Sequence, residues 1–319
     1  MDIRRVTEPE LLAASRLTFA GLPASQRAAR RFIAAAPANL GIDFSRQIVA
    51  LQNDLVCGAC LYVLTPGRGA TVLSPALAGG LDDQSTRAAR RLMIAQAAAD
   101  CREAGALLIQ TLLEESPDKP DARDFLESRF EFLALLEYLE LPIAAASSAA
   151  ASDPSGPRPG PRRGPVPGWP HETWRPELDA QFAALLEQTY RQSRDCPALD
   201  GLRQAADVLA GHRATGTFTP QGWTIAYCQG VAAGLVLVNR MLGRQACELV
   251  YMGVAAEYRR RGLGDWLLER AIETTRRLGL PVLSLAVDAN NEPAKALYLK
   301  AGFKKTAERY AYHLPPARR

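Results

Sequence analysis

Two stretches of the chain each contain two short, mostly apolar runs joined by a few polar or glycine residues that form a tight turn. Residues 46–64 read RQIVALQNDLVCGACLYVL, and residues 222–238 read GWTIAYCQGVAAGLVLV. Short apolar runs joined in this way predict paired antiparallel strands. A further strand pattern and a long helix pattern follow each pair, STRAARRLMIAQAAADCREAG in the first case and LGDWLLERAIETTRRLG in the second. The order of patterns predicts two domains of mixed α/β fold, each with a mixed sheet.

A segment of different composition separates the two patterns. Residues 143–170 are dominated by alanine, serine, proline and glycine, without helical or alternating periodicity. This composition is typical of a linker that proline stiffens towards extended conformations. The sequence therefore predicts a first domain over residues 1–142, a linker over 143–170 and a second domain over 171–319.

The two halves also share a register. Residues 128–141 align without gaps with residues 301–314, an offset of 301 − 128 = 173, and Pro120 then falls on Pro293. Chance similarity between two mixed α/β domains is the alternative explanation. The matching element order, the matching spacing and the ungapped register favour an internal duplication.

Composition narrows the range of partners. The 38 Lys and Arg residues nearly balance the 34 Asp and Glu residues, so the net charge is +4 and a nucleic-acid partner is not expected. No apolar run reaches the ~18 residues of a membrane span. The N-terminus also lacks the apolar core of a secretory signal. We therefore expect no membrane partner and a cytoplasmic location.

The cysteines do not indicate a metal site. Cys57 and Cys60 have CxxC spacing, but no second CxxC and no nearby histidine complete a zinc site. All six cysteines are expected to be free thiols in a reducing compartment.

The clearest chemical signal is the segment RRRGLG at residues 259–264. It follows the strand pattern CELVYMGV and precedes a helix pattern, so its glycines lie where a helix begins. The first N–H groups of a helix have no internal partner, and the helix dipole favours an anion there. Gly262 and Gly264 let a phosphate approach the main chain, and the three arginines can add charge at its rim. The spacing matches neither a dinucleotide fingerprint nor a Walker loop.

This loop resembles the [RQ]xxGx[GA] pyrophosphate loop of the GNAT N-acetyltransferase superfamily. Residues 290–303, NNEPAKALYLKAGF, resemble the second signature of that superfamily, NxxAxxLYxxxGF. The resemblance covers the C-terminal half. It implies a sheet with a splayed pair of parallel strands, helices on both faces, and acetyl-CoA as acyl donor in the cleft, with no metal. The residues that it assigns to acetyl-CoA are Met252, Gly253, Val254, Arg259, Arg260, Arg261, Gly262, Leu263, Gly264, Asn291 and Ala294.

The resemblance also implies two catalytic groups. Glu248 matches a glutamate that many members use as a base through a water, and Tyr298 matches the tyrosine that donates a proton to the leaving sulfur. A surface carboxylate at a strand start and a core aromatic are the alternative interpretations of these two residues.

The N-terminal half lacks these features. At the same offset of 173, Phe125 stands opposite Tyr298 and Asp118 opposite Asn291. Asp82 and Asp83 lie where the phosphate loop would be, and they would repel phosphate. We therefore interpret this half as a degenerate, non-catalytic copy. A tandem chain with an active C-terminal copy resembles the mycothiol synthases within the superfamily.

The function predicted from the sequence is direct acetyl transfer from acetyl-CoA to a primary amine of a small molecule. A protein or peptide acceptor and a non-catalytic acyl-CoA sensor are the alternatives. Asp195 and Asp200, in the segment SRDCPALDGLR, are either partners of a cationic amine or ordinary cap and turn residues. The sequence leaves open the acceptor, the acyl-chain preference, the oligomeric state and the pathway. It also leaves open whether the N-terminal half still binds CoA through Arg87, Arg90 and Arg91.

Overall fold

The structure is a computed structural model, and it describes residues 1–80, 82–144 and 168–316. Most of the predicted linker, residues 145–167, lies outside the described residues. The chain forms two compact units, Met1–Ala134 together with Arg309–Arg319, and Leu135–Glu308. The cysteines are free thiols. Within the described part of the chain, no helix is long and apolar enough to span a membrane, and no group of side chains suited to a metal ion occurs.

The first unit, called unit 1, contains a mixed sheet and four helices. Its strands are β1 (Asp2–Arg5), β2 (Gln47–Gln52), β3 (Leu55–Thr65), β4 (Gly69–Val72), β5 (Ala76–Leu77) and β6 (Leu108–Leu113). Its helices are α1 (Leu11–Thr18), α2 (Gln26–Leu40), α3 (Asp83–Glu103) and α4 (Pro120–Glu127). The strand order is β1-β2-β3-β4-β6, with β5 on β3, and only the β4–β6 pair is parallel. Helix α3 packs its apolar face, including Met93 and Ile94, into the main core of this unit.

The second unit, unit 2, has the same type of architecture. Its strands include β7 (Glu131–Pro142), β8 (His171–Thr173), β9 (Trp223–Cys228), β10 (Val231–Arg240), β11 (Cys247–Val254) and β12 (Val282–Asp288). Its helices are α5 (Asp179–Tyr190), α6 (Ala205–Ala214), α7 (Leu263–Arg277) and α8 (Glu292–Ala301). The strand order is β7-β12-β11-β10-β9-β8, and only β11 and β12 run parallel. The sequence-predicted mixed α/β fold, with a mostly antiparallel sheet and one parallel pair, is confirmed.

Helices cover both faces of the unit 2 sheet. On one face, α7 contributes Leu267 and Leu268 to a core that also holds Leu283 of β12. On the other face, α5 and α6 contribute Phe182 and Leu209 to a second core around Trp223. Because both faces are covered, the central strands β10 and β11 are apolar along most of their length.

Each unit includes the end of a strand from the other half of the sequence. Residues 310–313, in the last strand β13 (Lys304–His313), pair with β6 of unit 1. Residues 136–142 of β7 pair with β12 of unit 2. The domain boundaries predicted from the sequence assign each of these stretches to its own half. The two halves have similar sheets, so the edges of β6 and β12 are equivalent. The last strand of either half can therefore pair with the backbone N–H and C=O groups of either edge.

Candidate active site

The parallel strands of unit 2 separate along their length. Only the first two residues of β11, Cys247 and Glu248, pair with β12. Opposite, the ladder between β10 and β11 carries a β-bulge at which Val250 has no partner residue. A bulge bends its strand and increases the local twist. The strands therefore diverge towards their C-terminal ends, as the sequence resemblance implies.

The divergence opens a cleft of about 540 Å³ within unit 2. Nine of the thirteen residues predicted for the site line it: Met252, Gly253, Val254, Arg259, Arg260, Gly264, Asn291, Ala294 and Tyr298. The other four, Glu248, Arg261, Gly262 and Leu263, lie outside its lining. Lining residues that the sequence did not assign to the site include Thr189, Gln192, Tyr251 and Leu297, together with Asp195, which was weighed only as a candidate.

The glycine loop leaves the start of α7 open. Gly262 is the N-cap residue, with a positive φ of 83°, and it provides no side chain to cap the helix. The first helical backbone bond runs from the N–H of Trp266 to the carbonyl of Gly262. Leu263, at the first helical position, is buried in the core and anchors the turn. Glycine adopts a positive φ with little strain, so Gly262 allows the turn before α7. This turn leaves the first N–H groups of the helix open to an anion.

Gly264 keeps the space in front of this helix end clear. A β carbon on Gly264 would meet only Leu297 Cδ2, at 3.5 Å, which is an ordinary contact. The protein itself therefore does not require glycine at this position. A ligand that approaches the helix N-terminus does benefit from it, because any side chain there would project into the cleft.

The three arginines of the loop have different surroundings. Arg259 donates from Nε to the carbonyl of Val254 (3.0 Å), and its other nitrogens donate to the carbonyls of residues 189, 191 and 192 at 2.9–3.2 Å. It thus fastens the end of α5 to the end of β11. Arg260 lines the cleft with a positive φ of 60°. Arg261 lies over the ring of Tyr258, with its guanidinium carbon 5.6 Å from the ring centre.

Asn291 sets the start of helix α8, which contains most of the second signature. Its side chain caps α8 by accepting from the N–H of Ala294 at 3.4 Å, and its own N–H donates to the carbonyl of Asp288. The cap sets where α8 begins, and α8 carries Tyr298. Through this helix Asn291 acts on the position of Tyr298 as well as lining the cleft.

Tyr298 is 7% exposed and lines the cleft. Its ring packs against Phe303 at a centre-to-centre distance of 5.7 Å. Among the described residues its hydroxyl has no hydrogen-bond partner. Burial raises the pKa of this phenol well above 10, and the carboxylate of Asp195 and the phenol of Tyr251 add to the rise. At neutral pH the hydroxyl is therefore protonated and free to donate.

Glu248 lies where β11 and β12 are still paired, outside the lining of the cleft. Burial raises the pKa of its carboxyl above the ordinary 4.5. Within the described part of the chain it has neither an ion-pair nor a hydrogen-bond partner. A half-buried carboxylate with a raised pKa and no partner suits a proton acceptor, and reaching the cleft requires an intervening water.

Two features of the site have weak sequence signals. Tyr251 and Thr189 share a hydrogen bond between their hydroxyls, at 2.8 Å. Asp195 is half-buried in the wall of the cleft, and its carboxylate accepts from the N–H of Asp288 at 3.4 Å. Their spacing in the sequence, over sixty residues in the first pair and over ninety in the second, hides both contacts from local patterns.

Comparison with known proteins gives a family match for part of the chain. Residues 184–303 match the model of the acetyltransferase (GNAT) family. A mycothiol acetyltransferase from Paenarthrobacter aurescens is 32% identical over 143 residues, which are 43% of this chain and 40% of that relative. The matched part is thus less than half of the relative's length.

Two solved structures share the fold along nearly the whole chain. A GCN5-related N-acetyltransferase from Sphaerobacter thermophilus superposes with a TM-score of 0.56 at 16% identity, over 99% of this chain and 96% of that one. A tandem GNAT protein from the clavulanic acid biosynthesis pathway gives 0.52 at 15% identity, over 99% of both chains. Residues 184–303 are thus similar to the acetyltransferase (GNAT) family, in a chain that has the fold of tandem GNAT proteins.

Proposed function

We propose that unit 2 is an N-acetyltransferase that moves the acetyl group of acetyl-CoA to a primary amine of a small molecule, by direct attack in a ternary complex. The observation that carries the proposal is one cleft that joins two features. At one end lies the uncapped start of α7, suited to a pyrophosphate. In its wall lies the unpartnered hydroxyl of Tyr298.

The groups of this chain would meet the two proton requirements of the reaction. An aliphatic amine with a pKa near ~10 arrives protonated and must lose a proton before it attacks. Glu248 takes that proton through a water. As the new C–N bond forms and the C–S bond breaks, Tyr298 donates its proton to the leaving sulfur, and the second proton that the nitrogen loses on becoming an amide returns to the Tyr298 phenolate. Backbone groups of Met252 and Val254 hold the donor along β11, and neither step needs a metal.

Unit 1 is proposed to be non-catalytic, because its own side chains fill the equivalent places. The start of α3 is capped by Asp82, whose Oδ1 accepts from the N–H groups of Gln84 (3.0 Å) and Ser85 (2.9 Å). An internal carboxylate thus occupies the helix end that a phosphate would use. Phe125, the counterpart of Tyr298, is fully buried and has no proton to donate.

An ion-pair cluster also involves Arg90, on helix α3 of unit 1. Arg90 is 14% exposed and pairs with Asp121 and Asp124. It also donates to the carbonyl of Pro75 (2.7 Å) and to the hydroxyl of Ser74 (3.0 Å). These partners neutralise Arg90, so it is not available to a phosphate.

The acceptor class is supported by the curated relative, whose name connects it with mycothiol, a small molecule. The relative matches over less than half of its length, so its acceptor is not transferred to this chain. The proposal stops at a small primary amine.

A calorimetric titration with acetyl-CoA tests the proposal. We expect binding at about one molecule per chain. No binding at millimolar acetyl-CoA would remove the acetyltransferase assignment, and two molecules per chain would show that unit 1 retains a donor site. The matched control is Asp82→Ala, which should lower stability by about 1 kcal/mol through loss of the cap and leave the stoichiometry at one.

A further inference from the structure

Asp195 is a half-buried carboxylate in the wall of the cleft, and no cation among the described residues pairs with it. It lies in the segment between α5 and α6 and lines the cleft together with Tyr298. Three arginines, Arg194, Arg259 and Arg260, also line the cleft. Among the described residues, none of them forms an ion pair with Asp195. Burying a carboxylate without a cation is costly, so a position of this kind requires an explanation.

A second carboxylate supports Asp195 from behind. Asp288, at the end of β12, is 3% exposed, and its oxygens accept from the N–H groups of Asn290 (2.9 Å) and Cys196 (3.3 Å). The N–H of Asp288 donates to Oδ1 of Asp195. These bonds hold the loop and fix Asp195 against the cleft, with its remaining oxygen free of protein donors.

The electrostatics favour a cation beside Asp195. Burial raises the pKa of its carboxyl, and the charge of Asp288 adds to the rise, against a lowering by the hydrogen bond from the N–H of Asp288. A positive group placed next to Asp195 would reverse this effect and keep the carboxyl ionised. Two carboxylates side by side therefore attract a cation more strongly than either does alone.

A second group in this part of the cleft is suited to a polar ligand. Tyr298 is more than nine-tenths buried, lines the same cleft, and has no hydrogen-bond partner among the described residues. Its hydroxyl can therefore donate to a ligand in the cleft without competition from a protein group. Asp195 lies close enough to Tyr298 to raise its pKa, so one ligand can reach both groups.

We propose that Asp195 binds the ammonium group of the acceptor and so selects a positively charged primary amine. The inference rests on the proposed acetyl transfer and names its substrate class. The ammonium pairs with Asp195, and one of its protons passes through a water to Glu248. The neutral nitrogen keeps an N–H hydrogen bond to Asp195 and attacks the thioester carbon. As the C–S bond breaks, the sulfur receives the proton of Tyr298, and the second proton that the nitrogen loses on becoming an amide passes to the Tyr298 phenolate. The products are the N-acetyl amine and the free thiol of coenzyme A.

The test compares Asp195→Asn with Asp200→Asn in the full chain. Asn has the shape of Asp and keeps an acceptor for the N–H of Asp288, so folding should be retained; the thermal midpoint checks this. Asp200 is exposed in the same loop and is the matched control. Steady-state rates with acetyl-CoA would be measured for charged primary amines (benzylamine, glucosamine and putrescine) and for aniline, which is uncharged at neutral pH.

We expect Asp195→Asn to raise the KM of the charged amine that wild type acetylates by about 10- to 100-fold, as for a lost hydrogen bond to a charged group. The affinity for acetyl-CoA, any activity on aniline, and the Asp200→Asn protein should be unchanged. An unchanged KM in Asp195→Asn would overturn the inference, as would a loss of acetyl-CoA affinity together with a lower thermal midpoint. Acetyl-CoA binding without turnover of any charged amine would also overturn it. Failure of wild type to bind acetyl-CoA would instead refute the proposed function itself.

Discussion

Gly253 lies so close to Thr189 that a β carbon on the glycine would come within 2.7 Å of both Cβ and Oγ1 of the threonine. The same β carbon would be 2.8 Å from the hydroxyl of Tyr251. The absence of a side chain thus lets the end of α5 approach the end of β11. This approach brings the segment that carries Asp195 to the cleft.

Gly253→Ala is expected to destabilise the protein. The added methyl must push α5 or β11 aside, and overpacking of this kind typically costs about 1–3 kcal/mol. The displacement should also weaken acetyl-CoA binding, because both Gly253 and its neighbours line the cleft. Urea unfolding and calorimetry with acetyl-CoA measure the two effects, and a variant as stable as wild type would contradict the close approach.

Gly264→Ala is the matched control for stability, because it should lower acetyl-CoA affinity without destabilising the protein. Its β carbon meets only Leu297, at an ordinary 3.5 Å, so stability should not fall. Alanine in a helix is favoured over glycine by up to about 1 kcal/mol. The methyl would nevertheless project towards the helix end that we assign to the pyrophosphate, and acetyl-CoA affinity should drop at least about tenfold. Unchanged affinity would move the pyrophosphate elsewhere.

Arg259→Lys should loosen the segment after α5. The guanidinium serves four carbonyls at once, and a lysine ammonium, with three donors on one atom, cannot reach them all. We expect a loss of about 1–3 kcal/mol in stability, with faster amide exchange over residues 191–196. Arg261→Lys, which changes only the contact with the ring of Tyr258, should cost less than about 1 kcal/mol. Equal effects of the two changes would refute the fastening role.

Glu248→Gln should make the protein more stable and less active. Burial raises the folded-state pKa of Glu248 above its unfolded value of 4.5. The native state therefore binds the proton more tightly, and wild type loses stability as the pH rises from 4.5 through the folded pKa. The glutamine variant lacks this loss, so the two proteins should match at low pH and diverge above that window.

Urea unfolding across pH 4–8 measures the stability difference between wild type and Glu248→Gln. Removing a buried charge without a partner should yield a gain of about 1–3 kcal/mol at neutral pH. The acetylation rate should fall, most strongly at low pH where the amine is hardest to deprotonate. A pH–rate profile identical to that of wild type would exclude Glu248 as the base.

Tyr298→Phe should slow turnover by about 10²- to 10⁴-fold, the usual contribution of a positioned acid. Acetyl-CoA affinity should change less than twofold, since only one hydroxyl is removed and the ring still packs on Phe303. Tyr312→Phe, which removes another buried hydroxyl in unit 1, should leave the rate unchanged. Equal turnover by Tyr298→Phe and wild type would remove this residue from the mechanism.

Much of the fold was predictable because its signals are local. Short apolar runs joined by tight turns indicate β2, β3, β9 and β10, and the first glycine of RRRGLG indicates the start of α7 within one residue. The exchange of strand ends could not be predicted in this way. Residues 136–142 and 310–313 have strand patterns that fit either copy of a duplicated sheet, and only long-range pairing selects between them.

The features of the site also fall into two groups, those set by adjacent residues and those set by contacts between distant parts of the chain. By itself, the sequence determined where an uncapped helix begins and which tyrosine faces it, since a positive φ at Gly262 and the cap at Asn291 are set by a few adjacent residues. Only the tertiary structure decided that Arg259 binds carbonyls and that Asp195 lines the cleft while Glu248 stays outside its lining. Burial and hydrogen bonding of a charged group depend on elements brought together from distant parts of the chain, and no short segment encodes them.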